Sequence, residues 1–183
     1  MDFILNEDNK KSPVDTSTVC PIGKEMLDIG CGVHPRDGYI HLDIQHLPHV
    51  EYVTDAKELP FPINTFDGIY SSNTLEHFSW RVVGDVLKNW SSKIKSGGTI
   101  ELKVPCQKSV SRAYYEGRIS AREFSNATYA DQDDYTNYHK CAFDPEWLTQ
   151  LLVEALFTNI QVTDEYRDDY GELSGFLISG VKK

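Results

Sequence analysis

The stretch MLDIGCGVHPRDGYIHLDI, residues 26–44, decides the fold because it holds two strands on either side of a glycine turn. Apolar runs at 25–29 and 39–44 predict the two strands. Only the nine residues 30–38 lie between them, fewer than the roughly 10–12 that a crossover with its own helix needs. The sequence therefore predicts a glycine turn with no helix behind it.

The rest of the chain alternates apolar runs with turn residues. Together with the first two runs, it predicts seven strands, at 25–29, 39–44, 50–54, 66–71, 98–104, 159–165 and 174–182. A helical pattern over 79–95 precedes Ser96-Gly97-Gly98, which we expect to end that helix. A second helix is expected to begin at the N-cap Asp144, with Pro145 in its first turn.

This order of elements predicts an α/β fold with a mainly parallel sheet. The short turn at 168–171 predicts that the last two strands pair as an antiparallel hairpin. Polar and apolar residues alternate in 39–44 and 98–104, whereas fully covered parallel strands are usually apolar on both faces. We therefore expect one face of the sheet to be thinly covered.

Length and charge bound the function. A chain of 183 residues is expected to form a single domain, 1–183, with residues 1–24 as a polar lead-in. Its net charge of -10 argues against bulk nucleic acid as a partner, and no stretch has the apolar length of a membrane span. The lead-in lacks a secretory pattern, so we place the protein in the cytoplasm.

The four cysteines are far apart in the sequence. They contain no CxxC pair, so we expect reduced thiols and no zinc site built on cysteine; they are Cys20, Cys31, Cys106 and Cys141.

The turn Asp28-Ile29-Gly30-Cys31-Gly32 leaves two ligand classes open, a dinucleotide such as NAD and S-adenosylmethionine. Glycines at alternate positions let either ligand lie against the backbone. A dinucleotide fingerprint would place a third glycine at position 35, which is Pro35 here, and would seat its diphosphate on a helix N-terminus. S-adenosylmethionine is cationic at its amino group and sulfonium, and carboxylates near the turn suit it.

Four segments carry a family resemblance: LDIGCG, HLDI, TDAKELPFPINTFDGIYSSNTLEHF and KSGGTIELKVP. In this order they resemble the motifs of class I S-adenosylmethionine-dependent methyltransferases, in particular the methyltransferase type 11 group, over roughly residues 25–105. The chain is similar to compact members whose glycine turn passes almost directly into the second strand. The resemblance implies a Rossmann-like sheet with reduced helices after strands one and two, and S-adenosylmethionine as cofactor.

The resemblance also implies the cofactor residues. Asp28, Gly30 and Gly32, with Cys31 between the glycines, would line the methionine moiety. Asp43 would accept hydrogen bonds from the ribose hydroxyls, which suits a carboxylate with two acceptor oxygens.

The adenine end and the opening of the cleft complete this set. Ile44, Asp55 and Ala56 would contact adenine, and Ser72 and Asn73 would follow strand four where the cleft opens.

Residues 106–143 are rich in tyrosine and are the candidate substrate cap, because this connection crosses the carboxyl ends of the strands. Within the cap, the pattern at 119–124 predicts a helix after the break at Gly117. His139 in the cap and His77 in the motif Leu75-Glu76-His77-Phe78 are the candidate catalytic residues.

The function expected from these features is methyl transfer to a small-molecule or saccharide acceptor, without a metal. The alternatives are a methyltransferase-like binding or assembly module without catalysis and, less favoured, an NAD-dependent oxidoreductase. The sheet face without helices needs a cover, which residues 1–24, the cap or a second subunit would supply, and we expect a homodimer.

Overall fold

The computed structural model describes residues 25–167 and 173–183. Seven strands form one sheet in the order β3-β2-β1-β4-β5-β7-β6. The strands are β1 (Met26–Ile29), β2 (Ile40–Asp43), β3 (Tyr52–Val53), β4 (Phe66–Ser72), β5 (Ile94–Pro105), β6 (Phe157–Arg167) and β7 (Leu173–Lys182). Strand β7 is antiparallel to β5 and β6, and the other pairs are parallel. The predicted fold class is confirmed.

Four α-helices and one short 3-10 helix accompany the strands in the described part of the chain. They are α1 (Val83–Lys93), α2 (Gln107–Tyr115), α3 (Ala121–Tyr129), α4 (Pro145–Glu154) and the 3-10 helix Leu75–His77. The predicted N-cap of α4 is confirmed, because a side-chain oxygen of Asp144 accepts a hydrogen bond from the backbone N–H of Trp147 at 2.8 Å. The predicted hairpin turn at 168–171 and the lead-in at 1–24 lie outside the described residues.

The predicted end of the first helix is wrong. The helix ends at Lys93, and Ser96-Gly97-Gly98 lies inside β5, which begins at Ile94. Ile94 is fully buried and pairs with Phe66 of β4, and the register shifts before the pair of Gly68 with Thr99. Residues 96–98, which their glycine content predicts to end a helix, therefore belong to a strand because β5 pairs with β4.

Helices α1 and α4 cover one face of the sheet. The strands point Leu27, Ile29, Ile40, Leu42 and Ile100 to that face, and all five are fully buried. They form one apolar cluster with residues of the two helices, among them Val86, Leu87, Trp90, Leu148 and Leu152. The hydrophobic core therefore lies between the sheet and this helix pair.

The opposite face, at β1 and β2, is covered by a loop. Residues 30–39 and 44–51, which follow these strands, are described throughout and contain no helix, as the sequence predicted. The first of these loops folds back over the sheet, and the guanidinium carbon of Arg36 lies 3.8 Å from the ring centroid of Tyr70. Arg36 also donates a hydrogen bond to Glu101 at 3.1 Å. A cation-π contact and an ion pair thus hold the loop on the sheet at the place where a crossover helix would otherwise pack.

The candidate cap contains one helix that the sequence predicted and one that it did not. Helix α3 overlaps the helical pattern at 119–124 and begins with a capping box between Ser120 and Glu123. Helix α2 has no side-chain cap and buries only Ser109, Val110 and Ala113, so neither a cap nor a run of large apolar residues marks it in the sequence.

Two further findings concern the described residues as a set. Cys31, Cys106 and Cys141 are free and buried, and Cys20 lies outside the described range. None of the described helices combines the length and apolar character needed to cross a membrane.

Candidate functional site

A cleft of about 540 Å³ lies at the carboxyl ends of β1 to β4. This volume falls within the range of small-molecule sites, about 300–1,000 Å³. Its walls come from the segments that directly follow these strands and from the cap. The lining residues are Gly30, Gly32, Leu42, Asp43, Ile44, Gln45, Thr54, Asp55, Ala56, Asn73, Thr74, His77, Phe78, Asp133, Asp134, Tyr135, Thr136, Asn137 and Lys140.

Both glycines of the turn are required by its geometry. Gly30 has a φ of 70°, in the left-handed region, and a Cβ added there would collide with the side chain of Thr74. Gly32 has a φ of 52°, and a Cβ there would meet no atom within 4 Å because it would point into open space. The backbone at Gly32 therefore faces open space, whereas at Gly30 the side chain of Thr74 packs against the backbone.

Asp43 ties this turn to the end of β2. One of its carboxylate oxygens accepts a hydrogen bond from the backbone N–H of Gly32 at 2.8 Å, and the other accepts one from Gln45 at 2.8 Å. The side chain is buried, with 6% exposed, yet it lines the cleft. A carboxylate has about four acceptor positions, so acceptor capacity is left for a ligand.

Asp28 holds the other side of the same loop. Its carboxylate accepts a hydrogen bond from the backbone N–H of Arg36 at 3.0 Å and is almost fully buried. Burial raises the pKa of Asp28, and the hydrogen bond from Arg36 partly offsets that effect. Asp28 is not among the residues that line the cleft, so its place in the structure is beneath the loop.

Further along the cleft, the wall around Ala56 is fixed by the core. The indole Nε1 of Trp90 donates a hydrogen bond to the carbonyl oxygen of Ala56 at 2.7 Å, and Trp90 is fully buried. Next to it, the exposed carboxylate of Asp55 accepts a hydrogen bond from the backbone N–H of Lys57 at 2.8 Å. Ile44 also lines this part and is 49% exposed, so an apolar surface faces the opening.

Also at the cleft, the 3-10 helix after β4 meets the end of the cap. The carbonyl oxygen of Glu76 accepts hydrogen bonds from the backbone N–H groups of Lys140 at 2.8 Å and Cys141 at 3.1 Å. His77 Nδ1 lies 3.1 Å from the carbonyl oxygen of Tyr138. These bonds bring residues distant in sequence together.

Glu76, His77 and His139 form a cluster there. Glu76 is 1% exposed, and neither of its carboxylate oxygens has a hydrogen-bond partner. Its Oε1 lies 3.9 Å from His139 Nε2, and the rings of His77 and His139 are 5.1 Å apart between centroids. Burial raises the pKa of Glu76 to about 8. Burial also lowers the pKa of both imidazoles.

The structure brings together eight of the twelve residues that the sequence predicted for the site. Those that line the cleft are Gly30, Gly32, Asp43, Ile44, Asp55, Ala56, Asn73 and His77. Asp28, Cys31, Ser72 and His139 are not among the lining residues, although His139 contacts His77 directly. Their roles stay predictions.

Sequence reasoning missed several lining residues and the buried acid behind them. Thr74 and Gln45 lie one or two positions from predicted site residues. This nearness in the sequence was the available signal that they line the cleft. Lys140 and the 133–137 loop lie in the predicted cap, but no local pattern specifies which residues of the cap reach the cleft. The burial of Glu76 had no sequence signal, because an acidic residue at a helix start usually faces solvent.

We predict that Asp43→Asn loosens the glycine turn. An amide offers one acceptor oxygen where the carboxylate offers two, so the N–H of Gly32 or of Gln45 loses its partner. The free energy of unfolding should fall by about 1–3 kcal/mol, measured by urea denaturation. The exposed Asp37→Asn is the matched control and should change little. Equal effects of the two variants would contradict the role assigned to Asp43.

We predict a pH dependence of stability that Glu76 causes. Its pKa is about 8 in the folded protein, against 4.5 for the ordinary group. The folded state therefore holds a proton that the unfolded state releases, and the resulting stabilisation is complete below pH 4.5 and lost as the pH rises toward 8. Relative to Glu76→Gln, the free energy of unfolding should fall by about 1.4 kcal/mol per pH unit across this window.

The measurement is urea denaturation at several pH values in buffer that contains a chelator. Glu58→Gln, at an exposed position, should follow the unmodified protein at every pH. If Glu76→Gln follows it too, the carboxyl of Glu76 does not take up a proton on folding.

Comparisons with known proteins agree with this geometry. The family model of a methyltransferase domain matches residues 31–102. No curated protein sequence matches the chain. The structure resembles a SAM-dependent methyltransferase from Archaeoglobus fulgidus, with a TM-score of 0.59 and 18% identity over 86% of this chain and 85% of that one.

Two other solved structures show the same fold. The S-adenosylmethionine-dependent methyltransferase of Mesorhizobium loti has a TM-score of 0.60 and 15% identity, covering 87% of this chain and 91% of that one. Phosphoethanolamine N-methyltransferase 2 of Haemonchus contortus, solved in complex with S-adenosyl-L-methionine, has a TM-score of 0.58 and 14% identity. That match covers 87% of this chain and 49% of that one. Residues 31–102 thus carry the sequence pattern of a methyltransferase domain, and the chain has the Rossmann-like fold of S-adenosylmethionine-dependent methyltransferases.

Proposed function

We propose that the protein binds S-adenosylmethionine in the cleft and transfers its methyl group to a small-molecule or saccharide acceptor. One observation carries this proposal: the backbone N–H of Gly32 already donates to the carboxylate of Asp43. A diphosphate would need that donor and would meet a negative charge beside it. A cationic ligand meets a favourable charge at the same place.

The residues present fit this cofactor. Gly32 leaves bare backbone at a place where a side chain would fill open space. Asp43 has acceptor positions free for two hydroxyl groups, and Ile44 offers an exposed apolar surface for an aromatic ring. Ala56 is held in place by Trp90, so the wall that would face the ring is rigid.

When bound, S-adenosylmethionine supplies a methyl group on a positively charged sulfur, which is a good leaving group. The chain then has to orient the acceptor and exclude water, and this alone can lower the barrier substantially. The 133–137 loop and Lys140 of the cap also line the cleft, and we assign the acceptor to this part of it. We assign His77 and His139 to activating the acceptor's nucleophilic atom.

The acceptor assignment rests on size and charge. The cleft holds a small molecule, and its acceptor end has two acidic residues, Asp133 and Asp134, with one lysine, Lys140. Polar groups that can hydrogen-bond hydroxyls dominate this end, as in Thr136 and Asn137. A nucleic acid backbone is bound through several basic residues, and the described residues that line this end include only one, Lys140.

We predict that S-adenosylmethionine and S-adenosylhomocysteine raise the melting temperature and that NAD does not, because only a ligand of the folded state stabilises it. Ile44→Ala should weaken S-adenosylhomocysteine binding by roughly 5- to 30-fold, since it removes about 1–2 kcal/mol of apolar contact. Isothermal titration calorimetry measures this loss directly.

Ile63→Ala is the matched control, because Ile63 is 70% exposed and does not line the cleft. It should bind S-adenosylhomocysteine like the unmodified protein. Stabilisation by NAD alone, or an Ile44→Ala variant with full affinity, would overturn the proposed cofactor site.

A further inference from the structure

We propose that Glu76, His77 and His139 bind one divalent transition-metal ion at the acceptor end of the cleft. The three side chains each offer a ligand atom, and these atoms all lie within 4.8 Å of one another. Two imidazoles and one carboxylate are a donor set that suits Zn²⁺ and related first-row ions better than Mg²⁺, which prefers oxygen ligands.

The unpartnered carboxylate of Glu76 is the first argument. Buried polar groups in folded proteins are almost always hydrogen-bonded, and an exception needs an explanation. Here both oxygens of a side chain that is 1% exposed lack a partner, and one of them points toward His139 Nε2. A cation between these groups would give the carboxylate the partner it lacks.

The spacing of the ligand atoms is the second argument. In a tetrahedral site, bonds of about 2.0–2.2 Å place two ligand atoms about 3.3–3.6 Å apart. Glu76 Oε1 and His139 Nε2 are 3.9 Å apart, so they need to approach by a few tenths of an ångström. All ligand atoms of the cluster lie within 4.8 Å of one another, so the widest pair has to close by about 1 Å, which side-chain rotations supply.

The surroundings of the cluster are the third argument. Ring nitrogens that bind metals commonly leave the other nitrogen to donate to a carbonyl, which fixes the tautomer. His77 Nδ1 lies 3.1 Å from the carbonyl oxygen of Tyr138, so this arrangement leaves Nε2 of His77 as the ligand atom. The backbone bonds from Lys140 and Cys141 to Glu76 hold the two ligand-bearing segments together before any ion arrives.

The position of the cluster indicates what the ion would do. His77 lines the cleft, whereas Glu76 is buried behind it. Three protein ligands leave a coordination position open toward the cleft, which is the pattern of catalytic zinc sites. A hydroxyl oxygen of the acceptor would take that position, its pKa would fall, and its proton would pass to solvent.

This use of the site rests on the proposed function and narrows it to acceptors that present a hydroxyl oxygen. Metal binding itself does not depend on the cofactor. The two can therefore be tested separately on the same protein.

The test uses the full chain after metal has been removed with a chelator and the chelator removed by desalting. Titration with Zn²⁺ in a calorimeter should show one site per chain. Glu76→Gln, His77→Gln and His139→Gln should each weaken this binding at least 30-fold. Co²⁺ should give visible absorbance bands without the near-ultraviolet band of a thiolate ligand.

Glu58→Gln and His46→Gln replace exposed residues of the same types outside the cluster, and they should bind Zn²⁺ with unchanged affinity. Binding that survives in all three cluster variants, or a thiolate band that points to Cys141, would overturn the site. Absence of binding would overturn it as well. Circular dichroism shows that each variant is folded, and His139→Gln serves if Glu76→Gln does not fold.

S-adenosylhomocysteine binding, measured on the same samples, separates this inference from the proposed function. Normal S-adenosylhomocysteine binding without Zn²⁺ binding refutes the metal site alone. Zn²⁺ binding through the three residues without S-adenosylhomocysteine binding refutes the proposed function and leaves the metal site standing.

Discussion

The connection between β1 and β2 is too short for a helix, and the arrangement of the site follows from this constraint. A helix at this position would offer the free N–H groups of its N-terminus to an anion. Without a helix, two buried carboxylates accept hydrogen bonds from backbone N–H groups of the turn and of the loop that follows it. Asp43 binds the N–H of Gly32, and Asp28 binds the N–H of Arg36. The turn is thus held open by negative charges, which favours a cationic ligand.

The same constraint shapes the sheet face behind the turn. The loop that replaces the helix lies flat on polar strand residues, with Arg36 between Tyr70 and Glu101. The apolar core therefore lies on the other face, where α1 and α4 pack. Trp90 links that core to the cleft through its bond to Ala56, so packing on one face of the sheet fixes a wall of the site at its edge.

Much of this could be predicted from the sequence, and the exceptions have physical reasons. Apolar runs between turn residues predict the strands because buried strands need them. Asp43 ends its strand, where the chain turns, so it reaches the cleft. Asp28 sits inside β1 between Leu27 and Ile29, and alternation along a strand points it away from the core and beneath the loop.

The acceptor end was less predictable. His139 lies far from Glu76 in the sequence, and only the fold of the cap brings them within 3.9 Å. Glycine content likewise predicted a helix end at 96–98, whereas pairing between Ile94 and Phe66 places those residues in β5. Both the approach of His139 to Glu76 and the strand at 96–98 depend on contacts between segments that are distant in the sequence. A local sequence pattern carries no information on such contacts.

The most direct measurement is a crystal structure of the protein soaked with S-adenosylhomocysteine. We expect its amino acid end against Gly30 and Gly32, its ribose hydroxyls on Asp43 and its sulfur turned toward His77. If the ligand binds elsewhere and the cleft beside Gly30 and Gly32 stays empty, this would contradict the proposed role of the turn. So would a soaked dinucleotide whose diphosphate takes the N–H of Gly32 from Asp43.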